Sequence, residues 1–184
     1  MAAKNDTQSK ILDVAETRIR VSGYNGFSFR DIAADVGIKS ASVHYHFPTK
    51  ADLGVNVMHG YTERLLEYLG DPEDNNVSAK ALLQRYIDRY HQCLIKDKAM
   101  CLACMMGAEA SSLPEVVAQE VARFFELNIA WLKTVYQRID SNEKKKKLKA
   151  KALHLLATLQ GALIIARTMG NTKIFERISS EFVH

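Results

Sequence analysis

Apolar residues recur every three or four positions along most of the chain, and this spacing constrains the fold more than any other feature. Near the start it is carried by Ile11, Leu12, Ala15 and Ile19. Such spacing is typical of one side of an α-helix, and no stretch alternates convincingly with the period of two that strands show. The sequence therefore predicts an all-α protein of about nine helices. Beyond a loop at 70–76, helices are predicted at about 78–96, 100–111, 114–138, 143–169 and 172–182.

Two short helices joined by a tight turn are predicted around Gly37. Ser28 and Asp31 form the S-x-x-D pattern of a capping box, which starts a helix. A second helix begins near Ser40 and stops before Pro48. Two short helices around such a turn form a helix-turn-helix, whose second helix lies in the major groove of DNA.

The polar residues of the second of these helices, at 40–47, predict a surface that binds DNA. When its apolar residues turn inward, a rotation of about 100° per residue turns its polar residues outward. Uncharged donors and acceptors suit base edges, and flanking lysines suit phosphates. Contacts with DNA are therefore predicted for Ser28, Lys39, Ser40, Ser42, His44, Tyr45, His46 and Lys50.

Two other interpretations apply to the same residues. The helix pair could be part of a core, with polar side chains that touch only water. His44 and His46 could suggest a metal site, but two positions on a helix differ by about 200°, so both rings cannot easily bind one ion. No metal site is predicted.

Three patterns make the first third of the chain similar to a known domain. They are the bend at Gly23 and Phe27, the stretch IAADVG at 32–37, and the exit F-P-x-K-x-x-L at 47–53. Over about residues 8–60 the chain resembles the N-terminal domain of TetR-family transcriptional regulators. The family often has glycine at the position of Ala41 and tyrosine at that of His44.

The resemblance implies an N-terminal DNA-binding domain followed by a helical ligand-binding and dimerisation domain. We assign residues 1–50 to the first, with the helix-turn-helix at about 28–50 and a connecting helix at 50–69. Residues 51–184 form the second.

A dimer interface is predicted near the C-terminus. Helix-turn-helix proteins generally act as dimers, with reading helices about 34 Å apart. Residues 151–170 are apolar around most of a helix, and Ala157 and Gly161 would let another helix approach closely. The resemblance implies a four-helix interface between two copies, although an ordinary buried helix pair would show the same pattern. The predicted interface residues are Leu156, Leu159, Leu163, Ile174, Phe175 and Ile178.

The central helices are rich in aromatic and methionine side chains, which can line an adaptable apolar pocket but also form ordinary cores. The resemblance implies a small-molecule inducer whose binding changes the spacing or tilt of the two reading helices. The predicted pocket residues are Tyr86, Tyr90, Met105, Phe124 and Trp131.

Three cysteines in a chain without an export signal do not favour a disulfide framework. Cys101 and Cys104 are predicted on one face of a helix, near its start, where a thiolate is favoured. The segment around Cys101 is similar to the one that carries the reactive cysteine in electrophile-sensing TetR-family repressors. One C-x-x-C provides too few ligands for zinc, and buried unreactive thiols are the alternative.

The net charge of +4 is a local feature. Six of the 25 basic residues lie between 144 and 151, which leaves 19 basic against 21 acidic residues. We interpret this run as a solvated helix start. No run of about 18 apolar residues appears, and residues 1–10 lack the apolar segment of a secretory signal. A cytoplasmic protein that does not associate with membranes is predicted.

The patterns together favour a homodimeric repressor that binds an inverted-repeat operator in double-stranded DNA and is released by a small molecule. No catalytic motif or cofactor-binding loop appears, so neither an enzyme nor a cofactor is predicted. One alternative is a redox- or electrophile-sensing repressor that uses Cys101. Another is a helical protein-interaction module without a role at DNA, which would bind no duplex in a salt-dependent way.

Overall fold

The computed structural model describes residues 2–182, with side chains from residue 6 onward. Within that range the chain forms nine α-helices and no strand, which confirms the predicted all-α class. Residues 1, 183 and 184, at the ends of the predicted domain ranges, lie outside the described residues. The helices are α1 Ala2–Ser22, α2 Phe29–Val36, α3 Ser40–His46, α4 Lys50–Leu69, α5 Ala79–Ile95, α6 Leu102–Ala108, α7 Glu115–Ile139, α8 Lys145–Thr168 and α9 Lys173–Ser179, with 3₁₀ turns at Ala110–Ser112 and Ser180–Phe182.

Short polar side chains start helices α4 and α5. The hydroxyl of Thr49 accepts a hydrogen bond from the backbone N–H of Asp52 at 3.1 Å, and the Asp52 carboxylate accepts one from the backbone N–H of Thr49 at 3.0 Å. Ser78 caps α5 by accepting from the N–H of Ala81 at 3.2 Å. Such caps satisfy backbone donors that the first helical turn leaves unpaired.

Helix α6 is shorter than the predicted range of 100–111. Cys101 precedes its first residue, and a separate 3₁₀ turn follows its last. Pro114 disfavours the helical conformation in the residue before it, so a helix cannot run on into α7. The expectation that Cys101 and Cys104 share a helical face is therefore wrong, because Cys101 lies outside the helix.

The described chain divides into two compact units that do not follow its linear order. The first unit contains Met1–Arg64 and Leu102–Phe124, so α6 and the first part of α7 belong with α1–α3. In this unit α6 packs against α1, and α2 packs against both α1 and α3. Fully buried side chains from three helices, Ile11, Ile32 and Val43, contribute to its core. The predicted boundary near residue 50 stays a prediction.

The second unit contains Leu65–Cys101 and Phe125–His184. Helix α8 packs against α5 and α9 within it. By length and composition alone, α8 is the one helix among the described residues that could cross a membrane. A core helix of a soluble protein passes the same test. Eight of its residues are buried inside the chain: Leu148, Ala152, Leu155, Leu156, Leu159, Ala162, Leu163 and Ala166.

Candidate nucleic-acid interface

Helix α2 begins at the capping box expected from the sequence. The hydroxyl and the backbone N–H of Ser28 both donate to the Asp31 carboxylate at 2.7 Å, and the N–H of Asp31 points back to the Ser28 hydroxyl at 3.4 Å. Hydrogen bonds from the Ser28 hydroxyl, and then from its backbone N–H, hold the pKa of Asp31 below its ordinary value. Ser28 is exposed, but its hydroxyl is already used in the cap, so its contact with phosphate stays a prediction.

The turn between α2 and α3 depends on a glycine. Gly37 has a φ of 76°, in the left-handed region that favours glycine. Its N–H and that of Ile38 donate to the carbonyls of Ala34 and Ala33, at 3.3 and 2.9 Å. These bonds close the end of α2 and allow the chain to turn within three residues into α3.

Helix α3, which we call the reading helix, has one buried side and one exposed side. Val43 is fully buried and Phe47, directly after the helix, is 2% exposed, whereas Tyr45 is 69% exposed. The predicted DNA-binding residues of this segment lie outside the buried set. Lys39, His44 and Tyr45 are exposed, and Ser40, Ser42 and His46 are half-buried.

The ring of His44 is positioned by two neighbours. Its centroid lies 4.6 Å from that of Phe29, edge to face, and its Nδ1 lies 3.4 Å from the carbonyl oxygen of Pro48. When Nδ1 carries the proton and donates to this carbonyl, Nε2 is left as a hydrogen-bond acceptor. The reading helix thus presents His44 in a fixed orientation. The described residues contain no group of three or more His, Cys, Asp or Glu placed to hold a metal ion.

Lys50 is held in the first unit rather than extended into solvent. Its ammonium donates to the carbonyl of Phe27 at 2.5 Å and lies over the rings of Phe27 and Tyr24, 4.2 and 4.9 Å from their centroids. Burial lowers the pKa of Lys50. The contact of Lys50 with a phosphate stays a prediction, and it would require the side chain to leave these partners.

Two side chains of the α6–α7 segment hold the turn between α1 and α2. The carboxylate of Glu109 accepts from the backbone N–H of Tyr24 at 2.6 Å, and the hydroxyl of Ser112 accepts from the amide of Asn25 at 2.9 Å. Gly23 leaves room for this approach, because a Cβ there would lie 2.7 Å from a Glu109 oxygen. Sequence reasoning missed these contacts, since 85 residues separate Glu109 from Tyr24 and no local pattern marks the pair.

Three of the five predicted pocket residues lie together in the second unit. The Tyr86 ring stacks on Trp131 with centroids 5.7 Å apart and contacts Tyr90 at 5.3 Å. The Tyr86 hydroxyl donates to the amide oxygen of Asn128 at 2.9 Å, a buried partner that the sequence did not indicate. Burial raises the pKa of Tyr86 strongly. The other two, Met105 and Phe124, belong to the first unit, and the pocket stays a prediction.

The two candidate sensor cysteines have different surroundings. Cys101 is 1% exposed, and the amide of Gln160 donates to its sulfur at 3.4 Å. Cys104 is half-buried and belongs to the first unit. Thiol sensing stays a prediction.

Four of the six predicted interface residues are buried inside their own chain. Leu156, Leu159, Leu163 and Phe175 are at most 5% exposed, whereas Ile174 and Ile178 are half-buried. Helical periodicity revealed the apolar character of α8 but not which side the rest of its own chain covers. The large apolar residues that α8 leaves exposed are others: Leu153, Ile164 and Ile165, each at least 43% exposed.

The lysine run forms the start of α8, where Lys144 is the N-cap residue and its side chain makes no capping hydrogen bond. Glu143 pairs with Lys151 at 2.8 Å and with Lys147 at 3.7 Å. The hydrogen bond from Lys151 is the main reason that the pKa of Glu143 lies below its ordinary value. Exposed ion pairs of this kind contribute little to stability, because solvent and salt screen them. The lysine run is therefore solvated, and Glu143 offsets only part of its positive charge.

Comparison with known proteins relates both the reading helix and the whole chain to one group. Residues 11–55 match the family described as bacterial regulatory proteins, tetR family. A TetR transcriptional regulator from Legionella pneumophila is 36% identical over 93% of this chain and 92% of its own, with a TM-score of 0.85. A TetR-family transcriptional regulator from Agrobacterium tumefaciens is 30% identical over 98% of this chain and 97% of its own, with a TM-score of 0.89.

A curated relative shows a more distant similarity. The biofilm operon icaADBC HTH-type negative transcriptional regulator IcaR of Staphylococcus epidermidis is 27% identical over 117 residues, which make up 62% of this chain. The match spans 58% of the length of that regulator.

Proposed function

The chain belongs to the TetR family of bacterial regulatory proteins, and from this premise we propose that it is a homodimeric, cytoplasmic transcriptional repressor. It binds an inverted-repeat operator through α3 and is released when a small molecule binds the second unit. The negative regulator IcaR among its relatives supports repression rather than activation. The proposal needs no enzymatic step and no cofactor.

The observation that carries this proposal is the two-sided reading helix. Val43 of α3 and Phe47 directly after it are buried in the core. The exposed side chains of α3 therefore extend from a backbone that is held in place. Helices α2 and α3, joined by the Gly37 turn, have the arrangement in which a second helix enters the major groove. A surface built of neutral donors and acceptors suits base edges, because bases present donors, acceptors and methyl groups but no charge.

Each proposed contact then has a distinct task. Ser42, His44 and Tyr45 read base edges in the groove. Lys39 binds phosphate at the start of the reading helix, where the exposed ammonium can reach the backbone. Ser28 and Lys50 are further phosphate contacts, and both must rearrange from the partners they have in this structure.

The second copy binds, in this proposal, on the outer face of α8, defined by Leu153, Ala157, Gly161 and Ile164. These residues follow one another at spacings of three and four, so they share one side of the helix. Leu153 and Ile164 are 43% and 45% exposed. A Cβ added at Gly161 would meet nothing within 4 Å, which leaves space for another helix. Ile174 and Ile178 of α9 extend this surface.

A binding experiment tests the proposal. The operator is selected by the protein from a random duplex library, and its affinity is measured against salt concentration. We expect affinity to fall steeply with salt, since bound phosphates release counterions. His44→Ala and Tyr45→Ala should weaken operator binding about tenfold or more, the scale of one lost base contact.

The matched control is Tyr68→Ala, which removes a tyrosine that is 39% exposed but lies outside the reading helix. It should leave the affinity unchanged. A protein that enriches no duplex would overturn the proposal and favour a protein-interaction module. Binding that ignores both reading-helix variants would show that another surface reads DNA.

A further inference from the structure

A depression lies beside the reading helix and reaches across to α1. It has a volume of about 400 Å³ and is lined by seven residues: Thr7, Ile38, Lys39, Ala41, Ser42, Tyr45 and His46. This volume is within the range of about 300–1,000 Å³ in which proteins hold small organic groups. The depression therefore has room for part of a nucleotide.

The lining combines two apolar side chains with five that carry polar groups. Ala41 presents its methyl group on the exposed side of α3, and Ile38 beside it is half-buried. The other five lining side chains carry hydroxyl groups, an ammonium and an imidazole, and none of the described lining residues is acidic. Such a surface fits an uncharged group with two features: a methyl-like substituent that contacts the apolar side chains, and a neighbouring acceptor that receives a hydrogen bond from the polar ones.

In the major groove, one base edge has that combination. Thymine presents its C5-methyl group beside the acceptor O4, whereas cytosine presents an amino donor and no methyl group. Adenine and guanine present nitrogen and oxygen atoms there without any methyl group. The lining of the depression therefore matches thymine better than the other three bases.

The position of Ala41 along the helix fits the same role. Helix α3 starts at Ser40, so Ala41 is its second residue, and Tyr45 lies one turn further along. In helix-turn-helix proteins the N-terminal residues of the second helix contact base edges. With the reading helix in the major groove, a methyl group at this position would face the base edges, and the Ser42 hydroxyl lines the same depression as a donor.

We infer that Ala41 reads the C5-methyl group of a thymine in each half of the operator, with Ile38 as a second apolar contact. Ser42 donates a hydrogen bond to O4 of the same thymine. Ala41 thereby determines part of the sequence specificity. The inference depends on the proposed function, because it requires the reading helix to lie in the major groove of DNA.

The experiment compares thymine with deoxyuridine, which lacks only the methyl group. Each thymine of the selected operator is replaced in turn, in both halves symmetrically, and the affinity is measured for the wild type and for Ala41→Gly. With the wild type we expect one position at which the double replacement weakens binding of the dimer about sixteenfold, which is about fourfold for each half-site. The ratio for each half-site corresponds to about 0.8 kcal/mol, the value of one buried methylene group.

With Ala41→Gly the ratio between the two duplexes at that position should fall to about one. Any general loss of helix stability in the variant cancels, because both duplexes are measured with the same protein. Ala34→Gly, at an exposed alanine of the neighbouring short helix α2 outside the lining, is the control and should keep the wild-type ratio.

Three results would overturn the inference: no thymine whose methyl group matters, an unchanged ratio in Ala41→Gly, or a ratio equally lost in Ala34→Gly. Failure of the wild type to select any duplex would be a different outcome, since it contradicts the proposed function itself. Normal operator binding without methyl sensitivity contradicts only the role of Ala41.

Discussion

Polar groups find their hydrogen-bond partners in two different ways in this chain. At the starts of helices α2 and α4 the partner is close in sequence, whereas in the second unit a buried polar group bonds a residue far along the chain. At Ser28–Asp31 and Thr49–Asp52 the partners are three positions apart and exposed. In the second unit, the hydroxyl of Tyr86 bonds Asn128, 42 positions away, and both side chains are fully buried. The first kind of contact fixes where a helix begins, and the second fixes which helices pack together.

This difference follows from the solvent around each pair. An exposed group that loses its partner turns to water, whereas a buried group has no replacement and loses its full hydrogen-bond energy. Disruption should therefore cost more in the second unit than at the helix starts. Three substitutions test this order, each measured by the free energy of unfolding at a fixed protein concentration, since self-association changes apparent stability.

Asn128→Ala should have the largest effect. It removes the acceptor of the buried Tyr86 hydroxyl and leaves a cavity beside it. We expect a loss of about 3 kcal/mol, because the Tyr86 hydroxyl keeps only a contact of 3.4 Å with the Tyr90 hydroxyl and the packing around Asn128 is lost. The control is Gln84→Ala, which breaks a bond of 2.7 Å to Asp88 within the same helix, and it should cost about 0.5 kcal/mol. Equal losses would contradict the distinction between local and long-range contacts.

Glu109→Ala should rank second. The N–H of Tyr24 loses its partner in a part-buried position, which costs about 2 kcal/mol. Hydrogen exchange at the Tyr24 amide reports on this bond directly and should become faster. Glu109→Gln keeps an oxygen acceptor and should recover more than half of the lost stability. If the Tyr24 amide exchanges at the wild-type rate in Glu109→Ala, the contact does not hold the turn.

Ser28→Ala should have the smallest effect, about 1 kcal/mol, which is typical of a lost helix cap. It should also change the response to acid. The pKa of Asp31 lies below its ordinary value of 3.8 in the folded chain, so its contribution is present above that value and is lost as the pH falls through the folded pKa. Without the Ser28 hydroxyl this part of the acid dependence should flatten. Unfolding curves of both proteins from neutral pH to about pH 3 provide the measurement, and parallel curves would contradict the assignment.

The reading helix and the second unit also differ in how much the sequence revealed. The Ser28 cap, the Gly37 turn and the inward-facing apolar side of the reading helix were all predicted, because each depends on residues within a few positions. The sequence pattern did not reveal which side of α8 is exposed and can bind a second copy. Periodicity identified α8 as apolar, but Leu159 and Leu163 are covered by the same chain, so the proposed interface moves to Leu153 and Ile164.

The cysteines and Lys50 show the same limit. A spacing of three placed Cys101 and Cys104 on one helix, but α6 begins only after Cys101. Lys50 was predicted to contact a phosphate of DNA, yet its ammonium donates to the carbonyl of Phe27 and lies over two aromatic rings. In both cases the outcome depends on packing between segments that are distant in sequence or on a helix boundary, and neither is encoded in a short pattern.

The sequence by itself determined the helical class, the ends of the short helices and the exposed polar side of α3, since these follow from the period of the helix and from capping bonds within one turn. Only the tertiary structure decided that α6 belongs to the compact unit of α1–α3, that Glu109 holds the Tyr24 turn, and that Asn128 pairs with Tyr86. The physical reason is the separation of the bonded residues along the chain. A capping bond forms wherever the chain turns into a helix, whereas a bond across 42 or 85 residues forms only after burial has brought the two segments together.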